Sequence, residues 1–239
     1  MGGIFNLDGP FFRFGNAVAD IMILSLLWIL FSIPLFTIGA STSALFYVST
    51  RRISDREGYL LKDFFSSFKS NFKRATLLWV LWLLLFGLIA FNIRMLTIFD
   101  FEPWMITILL PIQICILIEL ILTSVYLYPL TARFEMGFIQ TLKSAFFMAN
   151  RHIFTTVTCL LTGAVIIVAA IMLFEPIIII GMGLYAYSTS YMIMRVFKKY
   201  RPEMDEDNIS LEPLRPIAGL SDTPLSDTSL NDSSNSDPK

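Results

Sequence analysis

Charge is the scarcest property of this chain. Only 15% of its 239 residues are Asp, Glu, Lys or Arg, against about 25% in an ordinary soluble domain. A water-soluble fold of that composition would expose large apolar areas and aggregate. Histidine occurs once, at His152, and cysteine twice, at Cys115 and Cys159. One histidine and two distant cysteines make no recognisable zinc site. Both cysteines lie in apolar runs, where a free thiol acts as a small hydrophobe, so no disulfide framework is indicated. Phosphate-binding glycine loops are missing too: "GMGLYAY" from Gly181 lacks the preceding strand and the third glycine. His152 sits beside Arg151 with no nucleophile or partner base in view, which disfavours hydrolysis and group transfer. No catalytic, metal or cofactor-binding residue is assigned, and neither an enzyme nor a nucleic-acid binder is expected.

What the chain has in abundance is apolar sequence. Hydrophobic residues make up 55% of it and the mean hydropathy is +0.67. Uncharged runs recur at Ile21–Thr50, Ala75–Ile93, Pro103–Ile118, Ile153–Phe174 and Pro176–Met194. Several reach the roughly 18–20 residues that cross a hydrocarbon core as a helix. The expected fold is all-α, a polytopic membrane helix bundle. Five spans are expected, at Ala17–Tyr47, Ala75–Ile93, Trp104–Tyr128, Ile153–Phe174 and Pro176–Met194.

Lys and Arg are unevenly placed, which sets orientation. Residues Arg51–Arg74 carry seven, Arg133–His152 three and the stretch after Met194 four more, while Arg13 and Arg94 fall in the other connections. This predicts a multi-pass protein with its N-terminus outside and both long loops and the C-terminus in the cytoplasm. From Glu203 onward the balance reverses, with nine acidic and two basic residues. That Ser/Asp/Pro-rich segment, 203–239, lacks aromatics and is expected to be a disordered cytoplasmic tail beside a bundle of residues 1–202.

The stretch "SIPLFTIGASTSALFYVSTRR" from Ser32 ends the first run. It is a poor signal-peptide site, because Asp8 and Asp20 flank Arg13 and the n-region is not basic. About 30 uncharged residues would make a helix of about 45 Å, longer than the core. Pro34 is therefore expected to kink the first span, with Gly39, Ala40, Ser43 and Ala44 allowing close helix approach. A plain span followed by a short interfacial helix fits its second half equally well.

Both cytoplasmic loops carry aromatic stripes at helical spacing. In the first, Leu61, Phe65, Phe68 and Phe72 share a face from which Lys62, Lys69 and Lys73 fall away. In the second, Phe134, Phe138, Leu142 and Phe146 recur in steps of four. Amphipathic helices of this kind lie on a membrane surface or dock a partner. Gly58 with Gly137 and Asn71 with Asn150 share an offset of 79 residues, a weak sign of a parallel repeat.

One ionisable residue falls deep inside a span. Glu119 lies about 22 Å from Trp104 along the third helix, on a polar stripe with Cys115, Thr123 and Tyr126. Such a group marks an ion or substrate route, or is a structural acid bonded to a neighbouring helix. Thr155, Thr158 and Thr162 are the candidate partners. Asp20 is read as an interfacial residue near the outer end of the first span.

Two stretches, "PLFTIGASTSALFYVSTRR" and "DFFSSFKSNFKRATLLW", resemble the YesL-like family of bacterial integral membrane proteins (domain of unknown function 624). The resemblance extends over most of residues 5–200 and leaves out the acidic tail. It implies a bacterial cell membrane location and an accessory role in carbohydrate uptake, with subunits of a sugar ABC importer as partners; the composition adds the lipid bilayer as a partner, and the missing catalytic constellation makes the expected role non-enzymatic. The resemblance supplies no catalytic residues. The alternative is a small transporter or channel with a polar route past Glu119.

Overall fold

The computed structural model describes residues 10–53, 59–99, 102–173 and 175–200; the expected tail lies outside them. They form seven α-helices and one short 3-10 turn: α1 (Pro10–Ser32), the turn (Leu35–Thr37), α2 (Ile38–Ile53), α3 (Leu60–Ile98), α4 (Pro103–Arg133), α5 (Phe138–Arg151), α6 (Ile153–Leu173) and α7 (Glu175–Tyr200). The all-α expectation holds. Among the described residues four helices are long and apolar enough to cross a membrane, α1 from Gly15, α3, α4 and α6, against the five spans expected; α7, which holds the expected span Pro176–Met194, is not one of the four. Their outer faces remain bare. Leu84, Leu88 and Phe91 on α3, Ile108 and Ile112 on α4, and Ile171 and Met172 on α6 are exposed, the last two by 77% and 80%. Hydrophobic surface of that extent needs lipid around it.

The first run is not one bent span. Pro34 has no N–H to continue a helix and disfavours helical backbone at Ile33. Accordingly α1 stops at Ser32 and the chain reverses through Leu35–Thr37. Thr37 fastens the reversal, its hydroxyl donating to the carbonyls of Phe31 at 2.6 Å and Pro34 at 2.7 Å. α2 then runs back along α1. The Trp28 indole N–H donates to Thr42 Oγ1 at 3.0 Å, the Ser32 and Ser41 hydroxyls meet at 2.7 Å, and Arg52 Nε lies 3.1 Å from Asp20. The kink expected at Pro34 is therefore a full break between two antiparallel helices. Asp20, expected at the opposite end of a span from Arg52, pairs with it.

α2 is the central element, packed by α1, α3, α4 and α7. Its sequence of small and hydroxylated residues makes this possible. Gly39 touches α3 so closely that a Cβ would fall 2.5 Å from the Ala75 carbonyl oxygen and 2.6 Å from Trp79 Cβ. Three of its buried hydroxyls bond to the backbone one turn earlier, Ser41 donating to Thr37 O, Thr42 to Ile38 O and Thr50 to Phe46 O, while those of Ser43 and Ser49 are buried without a partner among the described residues. That back-bonding lets a polar sequence sit in a core.

α3 has 39 residues, about 58 Å of helix against a core of about 30 Å. The amphipathic helix expected in the first loop is thus the start of the same rod that becomes the span. Arg74 marks the changeover and holds α4 in place. It donates to the carbonyls of Thr131 at 3.0 Å and Met136 at 2.8 Å, and to Asn71 Oδ1 at 2.8 Å. A cation on the last carbonyls of α4 also complements that helix's dipole. α5 buries Thr141, Ser144, Ala145, Met148 and Ala149, the i, i+3, i+4 pattern of one helical face. It folds back along α4 and ends at His152, where α6 begins.

Candidate functional site

A groove of about 800 Å³ lies between α3, α4 and α5. Its walls include Trp82 and Leu85 from α3, Ile116 and Leu120 from α4, and Phe146 and Phe147 from α5. Glu119 and Thr123 on α4 and Lys143 on α5 supply its polar groups. The antiparallel course of α4 and α5 brings Asn150 opposite Glu119. Asn150 Nδ2 donates to Glu119 Oε1 at 2.7 Å, and the Thr123 hydroxyl donates to the same oxygen at 3.4 Å. Both bonds fall on Oε1, and Oε2 accepts none among the described residues. Neither Glu119 nor Lys143 is in an ion pair among those residues. Trp82 is 3% exposed, and its indole N–H is buried without an acceptor.

Of the expected polar stripe, the groove takes Glu119 and Thr123. Cys115 is exposed on the surface of α4. Tyr126 is fully buried in the main core, beside Cys159. The stripe divides because the neighbours of α4 cover different sides of it at different heights. The threonines expected to meet Glu119 do not: Thr158 and Thr162 donate to their own helix at Phe154 O and Thr158 O. Asn150, Lys143 and Trp82 were not anticipated as site residues. No spacing rule connects position 119 with 150; the α4–α5 turn does.

The two aromatic stripes also part company. On α3, Leu61 and Phe65 stay exposed by 53% and 47%. Phe68 is half-buried, because Phe31 of α1 packs on it at 5.1 Å between ring centroids and on Phe65 at 5.2 Å. Phe68 in turn meets Phe72 at 5.5 Å. Phe31, Phe65, Phe68 and Phe72 line a second groove, of about 530 Å³, with Lys69 and Lys73 beside them. The second stripe is divided: Phe134 is interior, a correction to its expectation as a docking residue, whereas Phe146 is exposed by 51%. Phe134 is 2% exposed against Phe197, and Phe138 packs against the same core cluster. Phe134 precedes α5 rather than belonging to it, so the steps of four never formed one helical face.

His152 is a hinge residue. It caps α5 through its backbone N–H to Met148 O, and its Nε2 lies 3.0 Å from the Tyr200 hydroxyl. Burial, then Lys199 and Arg151, pull its pKa below the ordinary 6.5. Among the described residues no group of three His, Cys, Asp or Glu side chains is placed to hold a metal ion.

Residues 21–93 match the family model described as "Protein of unknown function, DUF624". The matched stretch covers the α1–α2 hairpin beyond its first turns and most of α3. No curated protein and no solved structure matches the chain.

Proposed function

We propose that this is a cell-membrane protein that works by binding rather than by catalysis, as an accessory component to a partner at the basic end of α3. The observation that carries this reading is the first third of that helix. Leu61 and Phe65 remain exposed beside Lys62 and Lys69, on a rod longer than the bilayer requires. A cationic, aromatic face in that position suits docking to a protein or to headgroups. The partner class, a subunit of a sugar ABC importer, and the link to carbohydrate uptake rest on the family resemblance alone.

In this reading α3, α4, α6 and α7 cross the bilayer, and α1 with α2 enters and returns on one side. Asp20 and Arg52 then share a side with the basic connectors, which places the start of α1, and Arg13 with it, in the cytoplasm. That departs from the N-terminus-outside expectation and agrees better with the bias of Lys and Arg. The test is a photo-crosslinker at position 65 in cells. Capture of an importer subunit supports the accessory role; crosslinks confined to lipid refute it. A transporter is the second reading, favoured by the Glu119–Asn150 contact. Loss of solute or proton flux in proteoliposomes on Glu119→Gln would establish it.

A further inference from the structure

We propose that the groove between α3, α4 and α5 holds one zwitterionic phospholipid whose headgroup carries a primary ammonium. The inference rests on the membrane reading above. Two features of the groove select this occupant. Its walls are aromatic and aliphatic, and its volume of about 800 Å³ falls within the range of sites that take up an amphiphilic ligand. It also presents two opposite charges, Glu119 and Lys143, that do not neutralise each other.

A purely apolar occupant would leave both charged groups unanswered. A simple anion would satisfy Lys143 but oppose the Glu119 carboxylate. A phosphate joined to a primary ammonium meets both: the phosphate takes Lys143, and the ammonium donates to Glu119 Oε2. The acyl chain lies along Leu85, Ile116, Leu120 and Phe146, continuous with the lipid-exposed faces of α3 and α4. Asn150 acts as a positioning residue, since its bond to Oε1 directs the carboxylate. A choline headgroup has no N–H to offer and fits less well.

The test is native mass spectrometry of the full-length protein in mild detergent, titrated with phosphatidylethanolamine, phosphatidylcholine and phosphatidylglycerol of matched chains. The expected result is retention of one phosphatidylethanolamine about tenfold more tightly than phosphatidylcholine, the scale of one charge-assisted hydrogen bond. Lys143→Ala, at an exposed position, weakens both phosphatidylethanolamine and phosphatidylglycerol. Glu119→Gln removes the preference for ethanolamine over choline and, by removing the opposing carboxylate, tightens phosphatidylglycerol. Equal retention of the three lipids, or a preference that neither substitution alters, means annular lipid only and overturns the proposal. Alkaline carbonate extraction separates the two failures. A protein stripped from membranes refutes the membrane reading itself, whereas one that stays without a lipid preference refutes this site alone.

Discussion

At the scale of single residues, the same residue type serves different ends according to what packs on it. Gly39 is needed because the α3 backbone occupies the space of its Cβ, while at Gly87 a Cβ would meet nothing within 4 Å. Gly39→Ala should therefore destabilise the protein by about 1–3 kcal/mol through overpacking. Gly87→Ala should be neutral or gain up to about 1 kcal/mol of helix propensity. Denaturation midpoints in detergent would check the pair; equal effects would contradict the α2–α3 contact. Closeness at Gly39 was legible from the run of small residues, but its partner was not, because any of several helices could have lain against it.

His152 supplies the pH-dependent prediction. Its pKa is lowered in the fold, with burial as the first cause, so the unfolded chain takes up the proton first. Stability is then fully present above about pH 6.5 and falls as pH drops below it. Melting temperature should decline between pH 7 and 5.5, and less steeply in His152→Gln. An identical slope in the variant would show that the α5–α6 hinge does not sense pH. His152 is partly exposed, so the change will be modest.

At the scale of elements, the α1–α2 hairpin is the main departure from the linear reading. A proline in a long apolar run predicts a defect at that point but not its angle. The reversal depends on Thr37, and on the hydroxyl and indole groups that join α1 to α2. Ser32 and Ser41 would stand about 13 Å apart on a continuous helix, yet their hydroxyls meet at 2.7 Å. Ser32→Cys with Ser41→Cys should form an intramolecular disulfide on mild oxidation, seen as a linked peptide after digestion. Failure to form it, with both thiols reactive, would restore the bent-span picture. The aromatic stripes teach a related lesson. Spacing found the face of α3 correctly, but α1 covers part of it, and the second stripe runs across an element boundary into the core.

At the scale of the whole molecule, the antiparallel hairpin alters how the chain is threaded. On the threading proposed above, with Asp20 beside Arg52, the start of α1 shares a compartment with the basic segment after α2. Single cysteines at Asn16 and at Lys62 should therefore be protected together from an impermeant thiol reagent in intact cells. Labelling of position 16 alone would return the N-terminus to the exterior. The groove of Glu119 and Lys143 also belongs to this scale, since it exists only where three helices meet.

The sequence by itself determined that the chain is helical and built for a bilayer, because long uncharged runs and scarce charge act locally and admit no other solvent. It also singled out Glu119, since an acid in such a run is conspicuous wherever the run packs. Only the tertiary structure decided that Pro34 reverses the chain, that Asn150 rather than a threonine of α6 meets Glu119, and that Phe134 is core. Those outcomes depend on which helices become neighbours. That choice is made by the fit of whole surfaces, such as Gly39 against Ala75, which hydrophobic periodicity along one helix does not encode.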